Sequence, residues 1–326
     1  MAEVTYLEAI RQGLQEEMAR DERVFLMGQD IGAFGGPFKV TEGLQQRFGP
    51  ERVIDCPISE TAIVGAAAGA AHMGMRPVCE MQFIDFLSCA YSILTNYVAT
   101  GRYRADLRTP MVVRGPCGGY TRSGPFHSQN PEAAYLHTPG LKIVAPATAR
   151  DAKGLIKAAI RDDDPVLFFE HKYLYRRIRE ELPEDEEILV PLGQARTARA
   201  GCDLTIVTYG SLVWKALEAA ERIEREDGAS VEVLDLRTLL PMDDAAVVAS
   251  VKRTNRVLLA HEDTRTGGVA AELTARINEL CFEWLDAPVR RVCAHDVPLP
   301  YAPTLEDFVL PQTDDLVAAA RWMLAY

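Results

Sequence analysis

Short apolar runs rich in β-branched residues alternate with helix-length segments along the whole chain, and this alternation restricts the fold more than any other feature. It predicts an α/β fold with mostly parallel sheets flanked by helices, because a helix usually supplies the crossover between parallel strands. Ligands bind such sheets at the carboxyl ends of the strands. We expect strands at residues 23–27, 52–56, 77–83, 110–114, 142–145, 166–170, 204–209, 231–236, 257–260 and 289–293.

A break in this periodicity divides the chain into two domains. The length of 326 residues exceeds what one average core needs. Between about Arg179 and Gly201 the pattern stops, and the acidic run at 180–187 with its proline is typical of a solvated surface linker. We therefore predict a first domain at 1–185 and a second at 200–326. Helices are expected at residues 86–103, 150–161 and 314–326, and at the segment that follows a capping box at Thr5 to Glu8.

Composition argues against several classes of partner. A net charge of −12 opposes binding to a phosphate backbone, so nucleic acid is not expected. No apolar run approaches the ~20 residues needed to cross a bilayer, so no membrane partner is expected. The seven cysteines lack a metal-ligand spacing and the first residues resemble no targeting leader, which together predict buried free thiols and a cytoplasmic location.

Conventional nucleotide, zinc and serine-hydrolase motifs are missing from the sequence. It contains no Walker loop, no Gly-x-Gly-x-x-Gly after a strand, no His-Glu-x-x-His and no Gly-x-Ser-x-Gly. Candidate chemistry is therefore sought among polar residues in the loops that follow predicted strands.

A carboxylate at Glu60 opens a predicted helix made almost entirely of Ala and Gly. Ser59 is a good N-cap, and the helix macrodipole favours a negative charge in the first turn. Gly65 and Gly69 lie four residues apart, so another helix backbone can approach that face closely. The pattern suits a functional carboxylate, and it equally suits a tight internal helix crossing with Glu60 as a plain N-terminal charge.

Three loops after predicted strands hold the candidate reactive groups, and we expect them to converge on one edge of the sheet. They contain Glu60, the segment Gln82 to Phe86, and His127 with residues 128–132. His127 lies among Gly, Pro and Ser, outside helix or strand periodicity. A functional role is therefore favoured over that of a satisfied core histidine.

A series of motifs runs through nearly the whole chain in a fixed order. They are Pro57-Ile58-Ser59-Glu60 with Gly65 and Gly69, Glu80 to Phe86, Arg102-Tyr103-Arg104, His127-Ser128-Gln129, Pro139 to Lys142, Asp151 to Leu155 and Asp235 to Thr238. Together they resemble the β subunit of thiamine-diphosphate-dependent 2-oxo acid dehydrogenases. The resemblance implies a pyrimidine-binding domain followed by a transketolase C-terminal-like domain.

The resemblance also implies an active site that this chain only half supplies. In that family an α subunit contributes a Gly-Asp-Gly motif for magnesium and pyrophosphate, and this chain contains no Gly-Asp-Gly. The expected assembly is an α2β2 heterotetramer with thiamine diphosphate, whose magnesium is held by the α subunit. The expected reaction is oxidative decarboxylation of a 2-oxo acid with acyl transfer to lipoamide, inside a multienzyme complex.

Several positions match family residues that contact the cofactor or the reacting carbon. Glu60 matches the glutamate that hydrogen-bonds an aminopyrimidine ring nitrogen. Ile58, Gln82 and Phe86 match other positions of the pyrimidine pocket. His127 matches the histidine implicated in acyl transfer. The segment 120–125 departs from the Gly- and His-containing loop of many relatives, which leaves the substrate pocket open to question.

Two further groups of residues match family positions away from that pocket. Ala159, Asp162 and Asp164 fall where relatives bind a structural potassium, although they equally suit a solvated acidic helix end. Asp286 and the carboxylate of Tyr326 match positions that face the subunit-binding domain of the lipoyl acyltransferase.

The substrate is expected to be a branched-chain 2-oxo acid, as in branched-chain amino acid catabolism. The segments 170–176 and 300–304 look more like branched-chain members than pyruvate members. Pyruvate and acetoin dehydrogenase β subunits are the nearest alternatives. A non-catalytic flavodoxin-like scaffold is a further alternative, and it would need neither Glu60 nor His127.

Overall fold

The structure is a computed structural model that describes residues 2–183 and 186–326. It contains two compact units, one formed by Met1–Cys117 with Ala134–Leu192 and the other by Gly118–Ala133 with Gly193–Tyr326. Both units have the predicted α/β architecture. The segment 118–133 belongs to the second unit although it lies in the first half of the chain, a grouping that the sequence pattern does not reveal.

Parallel strands form the main sheet of the first unit. The strands of this unit are β1 (Ala2–Thr5), β2 (Val24–Gly28), β3 (Val53–Asp55), β4 (Arg76–Glu80), β5 (Val112–Cys117), β6 (Lys142–Val144), β7 (Val166–His171) and β8 (Arg179–Leu182). The order is β6-β7-β5-β4-β2-β3, and each neighbouring pair is parallel. β2, β5 and β7 are buried along their whole length, so their residues are mostly apolar, with the charged Arg114 in β5 and Glu170 in β7 as exceptions.

Helices follow these strands as the alternation predicts. They are α1 (Tyr6–Arg20), α2 (Leu44–Phe48), α3 (Glu60–His72), α4 (Gly101–Ala105), α5 (Glu132–Leu136) and α6 (Ala149–Arg161). Thr5 and Glu8 form the predicted capping box at the start of α1. α1 packs on α6, and Gly13 leaves room there for Ile156.

The continuous helix predicted at 86–103 is wrong. The chain instead forms a 3₁₀ helix at Ile84–Ala90, a π-helical segment at Ile93–Val98 and the short α4. The hydroxyls of Ser88, Thr95 and Thr100 each donate to a carbonyl three or four residues earlier. Such side-chain bonds compete with the regular helix ladder and bend helices.

Part of the predicted linker is also wrong, because residues 179–182 form a strand. β8 pairs antiparallel with β1, so that Arg179 lies opposite Thr5. Leu182 is buried in a small apolar cluster with Val4 and Ile188. One apolar anchor and a distant partner strand therefore order a segment whose other residues are charged. Glu184 and Asp185 lie outside the described residues.

A buried ion network joins three neighbouring strands of the first unit. Arg114 of β5 contacts Glu80 of β4 and Glu170 of β7. Tyr175 donates a hydrogen bond to Glu170 at 2.7 Å. Arg114 is 1% exposed, so loss of a carboxylate partner would leave a poorly compensated buried charge. The network fixes the sheet beside the edge at which the predicted site loops begin.

The second unit has a smaller sheet of five strands in the order β14-β13-β10-β11-β9. The strands of this unit are β9 (Arg196–Arg199), β10 (Leu204–Thr208), β11 (Val231–Asp235), β12 (Thr238–Leu240), β13 (Val257–Thr264) and β14 (Arg290–Ala294). Within the sheet β9 is antiparallel and the other pairs are parallel. The helices are α7 (Leu212–Asp227), α8 (Asp244–Thr254), α9 (Val269–Cys281), a 3₁₀ helix at Phe282–Trp284, α10 (Pro303–Val309) and α11 (Thr313–Leu324).

Two expectations from composition concern membranes and thiols. Across residues 2–183 and 186–326, no helix combines the length and the apolar character that crossing a bilayer requires. All seven cysteines are free thiols, as predicted. The expectation that they are buried is wrong for Cys89 and Cys202, which are exposed.

Candidate functional site

Glu60 is the first residue of α3, directly after the turn that follows β3. Its Oε1 accepts a hydrogen bond from Nε2 of Gln29 at 3.3 Å. Gln29 is 5% exposed and comes directly after β2. The carboxylate therefore lies where the carboxyl ends of β2 and β3 meet.

Ser59 precedes Glu60 at the N-cap position, but its side chain makes no capping hydrogen bond. Its backbone, with φ −171° and ψ 70°, lies outside the β-region geometry that N-caps usually adopt. The prediction that Ser59 caps α3 is therefore wrong. The first turn of this helix keeps backbone N–H groups that no Ser59 hydroxyl satisfies, which favours a negative charge at Glu60.

Gln82 reaches the same neighbourhood from the adjacent strand. It lies two residues beyond the end of β4, and its Nε2 donates to Oδ2 of Asp30 at 2.9 Å. Gln29 and Asp30 are consecutive, so the loops after β3 and β4 both attach to the residues that follow β2. The structure thus attaches the loops that carry Glu60 and Gln82 to the same end of β2. The sequence reasoning missed Gln29 and Asp30, although a polar pair directly after a buried strand was an available signal.

Aromatic and apolar side chains belong to the same loops as these polar groups. The ring of Phe86 packs edge-to-face on Phe83 with centroids 6.2 Å apart, and Phe83 meets Phe38 at 5.5 Å. Ile58, in the turn before α3, is 82% exposed. An apolar side chain this open gains free energy when a ligand or a partner covers it.

The face of α3 that carries Gly65 and Gly69 has almost no side chains, and we call it the bare outer face. The buried residues Ile63 and Val64 lie on the opposite face. A Cβ added at Gly69 would meet no atom within 4 Å, and one at Gly65 would only touch Ile93 at 4.0 Å. The alternative of a tight helix crossing inside this unit is therefore wrong, since no described residue packs on the bare face at Gly69.

His127 lies in the second unit, within a segment that we call the His127 loop (residues 118–132). Its N–H donates to the carbonyl of Gly124 at 3.4 Å. Gly118 N–H donates to the carbonyl of Gln129 at 3.0 Å, which closes the loop. The histidine lies outside any helix or strand, as its neighbours predict.

Glu262 of β13 holds both ends of the His127 loop. Its Oε1 accepts from the backbone N–H of Gly119 and from Nδ2 of Asn130 at 2.9 Å. Its Oε2 accepts from the hydroxyl of Ser211 at 2.8 Å. Sequence reasoning missed Glu262, because its partners are far away in the chain and no local spacing marks them.

Glu132, at the end of the same loop, is a buried carboxyl. It is 2% exposed, and its Oε1 accepts from the hydroxyl of Tyr209 at 2.6 Å. Burial, assisted by the charges of Asp263 and Glu262, raises the pKa of Glu132 to about 8. Within the described part of the chain, Oε2 of Glu132 has no hydrogen-bond partner.

A cavity of about 630 Å³ lies in the second unit beside the His127 loop. Its wall includes Gln129, Asn130 and Asp263. Burial raises the pKa of Asp263 to about 6.

A cysteine and a histidine lie next to each other in the same unit. Cys293 Sγ is 3.5 Å from Nε2 of His261. Burial lowers the pKa of His261 to about 4 and raises that of Cys293 to about 11, so this pair is neutral and does not form an activated thiolate.

The predicted potassium position lies at the end of α6. Nζ of Lys142 is 2.7 Å from each carboxylate oxygen of Asp162 and 3.3 Å from Oδ2 of Asp164. Arg102 also donates to Asp164, at 2.6 Å. These carboxylates already have cationic partners, so their side chains do not fit as free ligands. A potassium ion here would depend on main-chain oxygens such as that of Ala159.

Asp286 and Tyr326 belong to one exposed face of the second unit. Asp286 is 3.6 Å from Arg256, whose Nε donates to the carbonyl of Met323 at 3.1 Å. The N–H of Tyr326 donates to that same carbonyl at 3.3 Å. Tyr326 is 64% exposed and its ring lies 5.3 Å from that of Trp322.

Comparison with known proteins identifies both units. The family described as "Transketolase, pyrimidine binding domain" matches residues 2–177, and "Transketolase, C-terminal domain" matches residues 193–316. A solved structure titled "Split gene transketolase, inactive beta4 tetramer" shares the fold, with a TM-score of 0.78 at 24% identity over 99% of this chain and 98% of that chain.

Full-length relatives define the family more closely. The 2-oxoisovalerate dehydrogenase subunit beta of Bacillus subtilis is 48% identical over 98% of each chain. The pyruvate dehydrogenase E1 component subunit beta of the same organism is 42% identical over 100% of each chain. A mitochondrial pyruvate dehydrogenase E1 subunit beta-2 of Oryza sativa is 43% identical over 98% of this chain and 86% of its own length. This chain belongs to the transketolase-like E1 β subunits of the thiamine-diphosphate-dependent 2-oxo acid dehydrogenases.

Proposed function

We propose that this chain is the β subunit of an E1 component that decarboxylates a branched-chain 2-oxo acid and transfers the acyl group to lipoamide. The observation that supports it most is the position of the Glu60 carboxylate at the carboxyl edge of the sheet, where the loops of Glu60 and Gln82 both bond to the residues that follow β2. A flavodoxin-like scaffold is not supported, because the chain belongs to the E1 β family along its whole length.

The residues around Glu60 fit the aminopyrimidine half of thiamine diphosphate. A partly exposed carboxylate, the amide of Gln82, the exposed Ile58 and the ring of Phe86 offer hydrogen bonds and apolar faces to a flat heterocycle. Glu60 would share a proton with a ring nitrogen through a charge-assisted hydrogen bond. The bound cofactor supplies the electron sink that decarboxylation needs.

The magnesium that accompanies the pyrophosphate has no cluster of ligands among the described residues of this chain. The sequence lacks Gly-Asp-Gly, and no cluster of three His, Cys, Asp or Glu residues suits a metal in residues 2–183 and 186–326. We therefore assign magnesium and pyrophosphate to an α subunit in an α2β2 heterotetramer. The bare outer face of α3 and the exposed Ile58 support a partner at this position.

The second unit supplies the later chemistry and the attachment to the complex in this proposal. His127 would provide a proton or a hydrogen bond during acyl transfer. Asp286 and Tyr326 would bind the basic subunit-binding domain of the lipoyl acyltransferase, and their common exposed face supports this assignment. Potassium at Ala159, Asp162 and Asp164 would be structural and main-chain-bound. A cytoplasmic location remains a prediction.

The substrate assignment depends on similarity. The β subunit of 2-oxoisovalerate dehydrogenase shares 48% of its residues with this chain, against 42% for the pyruvate enzyme of the same organism. We therefore favour a branched-chain 2-oxo acid, with pyruvate or acetoin as the alternative.

One experiment tests both the assembly and the substrate. The chain is purified alone and co-expressed with its α subunit. Turnover of 2-oxoisovalerate, pyruvate and acetoin is measured by reduction of an artificial electron acceptor, with thiamine diphosphate and magnesium, because acetoin cleavage releases no CO₂. We expect activity only with α, highest with 2-oxoisovalerate, and negligible cofactor binding by the chain alone in calorimetry. Tight, magnesium-dependent binding of the cofactor by the chain alone would disprove the shared site. A preference for pyruvate would show that the branched-chain substrate assignment is wrong.

A further inference from the structure

Arg122, in the His127 loop, makes a dense set of contacts with α10. Its backbone N–H donates to Oε1 of Glu306 at 3.1 Å, and its Nη1 donates to Oε2 at 2.6 Å. The guanidinium also donates to both oxygens of Asp307, at 2.7 and 3.0 Å. Paired charge-assisted bonds of this kind fix direction as well as distance.

Glu306 makes this attachment difficult to release. Its side chain is 0% exposed. Among the described residues, both groups that donate hydrogen bonds to this carboxylate belong to Arg122: its backbone N–H and its guanidinium. Displacement of the loop would leave a buried carboxylate without donors, which is strongly unfavourable. Lysine cannot reproduce the guanidinium fork, so the site requires arginine in particular.

The same part of the loop has a backbone that needs external support. Tyr120 and Arg122 have φ of 59° and 61°, a left-handed conformation that residues other than glycine rarely adopt. Tyr120 donates its hydroxyl to the carbonyl of Pro311 at 2.7 Å, and Lys215 lies 4.5 Å from the centroid of its ring. Strained backbone of this kind persists only where surrounding contacts hold it.

We propose that Arg122 is a positioning residue, whose bonds to Glu306 and Asp307 fix the His127 loop so that His127 is held for acyl transfer. This inference depends on the proposed role of His127. Arg122 acts through the loop and does not touch the substrate. Glu262 bonds to both ends of the loop, and Arg122 attaches the segment between them to α10.

The first test measures the loop itself and needs no cofactor. Hydrogen exchange is followed by mass spectrometry on the full chain with Arg122→Ala, Arg122→Lys and a matched control, Arg222→Ala. Arg222 has 36% side-chain exposure against 37% for Arg122, and it also bonds two carboxylates, Asp314 and Glu226. We expect exchange in residues 118–130 to be about 10-fold faster in Arg122→Ala, intermediate in Arg122→Lys and unchanged in the control.

The second test measures the two half-reactions of the assembly with its α subunit. Arg122→Ala should reduce lipoamide acylation about 10-fold more than it reduces decarboxylation with an artificial electron acceptor, with partial recovery in Arg122→Lys. If Arg122→Ala does not fold, Asp307→Asn removes the charge and one acceptor oxygen of the exposed partner and keeps the buried pair, and a smaller change in the same direction is expected.

The outcomes separate this inference from the proposed function. Unchanged exchange in residues 118–130 would disprove the positioning role whatever His127 does. Faster exchange with unaltered acylation, in an assembly where His127→Ala does impair acylation, would also disprove it. If His127→Ala leaves acylation intact, the proposed role of His127 fails, and with it the assigned purpose of the attachment, while the exchange data still decide whether Arg122 holds the loop.

Discussion

The start of α3 and the His127 loop hold their candidate catalytic residues in opposite ways. Glu60 accepts its hydrogen bond from Gln29 at 3.3 Å, which is long for a charged acceptor. Its helix turns a bare face outward. The His127 loop, in contrast, is closed by Glu262 and fastened by Arg122 at 2.6 Å to a fully buried carboxylate.

The difference follows from the backbone that each residue stands on. A helix fixes its first residue through its own hydrogen-bond ladder, so Glu60 needs few side-chain ties and its carboxylate stays available. A loop has no such ladder and requires polar side chains to define one conformation. We infer that the first region is completed by another chain, whereas the second is completed by its own unit.

The largest effect is expected at Glu60. Glu60→Gln keeps the shape and removes the charge, so CO₂ release by the assembly with α should fall by about 10²–10⁴-fold. Glu51→Gln, which changes an exposed carboxylate just before β3, is the control and should remain active. A Glu60→Gln assembly within a few-fold of wild type would show that the open carboxylate is only a helix-end charge.

The bare face of α3 gives the next effect. A Cβ at Gly69 would meet no atom within 4 Å in this chain, so the isolated Gly69→Leu chain should remain folded. In the assembly an overpacked contact costs about 1–3 kcal/mol and recurs by symmetry. Sedimentation of the variant with α should show dissociation, whereas Ala275→Leu, at an exposed position of α9, should not. An intact tetramer would place the partner elsewhere.

The closed loop makes a prediction about pH. Glu132 has a folded-state pKa of about 8, above its usual range, so between about pH 4.5 and 8 the unfolded chain ionises while the folded chain retains the proton. The wild type should therefore lose stability relative to Glu132→Gln as pH rises, by about 2–4 kcal/mol between pH 5 and 8. Urea unfolding across this range measures it, with Glu279→Gln on an exposed position as the control. A difference that is constant with pH would mean that Glu132 is ionised in the native state.

The smallest effect is expected at the exposed face near the C-terminus. Asp286 is 59% exposed, so its charge would affect an association mostly through long-range attraction. Asp286→Lys should weaken acyltransferase docking by about 5-fold at low salt and flatten its salt dependence. Surface plasmon resonance across a salt series checks this, with Glu221→Lys on α7 as the control. Identical salt series for variant and wild type would remove Asp286 from the interface.

Much of the fold could be predicted because it depends on local pattern. Buried strands appear as short apolar runs, such as residues 166–169 of β7, and the capping box at Thr5 is a short-range signal. The segment at 86–103 was mispredicted because hydroxyls such as that of Thr95 divert the backbone from a regular helix. β8 was missed because its partner β1 lies far away in the chain and its own residues are mostly charged.

The positions of the candidate site residues could be predicted from the sequence, but the residues that hydrogen-bond to their loops could not. Glu60, Gln82 and His127 could be named because each follows a predicted strand. Their partners Gln29 and Glu262 are set by sheet topology, which brings together residues that are distant in the chain. The sequence also left open whether the α3 face was internal, a question that only packing around Gly69 answers.

The most direct test of the separate roles of Glu60 and His127 compares the two half-reactions in one assembly. Decarboxylation with an artificial electron acceptor and acylation of lipoamide are measured for His127→Ala and Glu60→Gln, with His137→Ala, an exposed histidine, as the control. We expect Glu60→Gln to lose both activities, and His127→Ala to lose acylation by about 10²–10⁴-fold while retaining most decarboxylation. Equal loss of the two activities in His127→Ala would contradict the separation of roles between the open helix start and the closed loop.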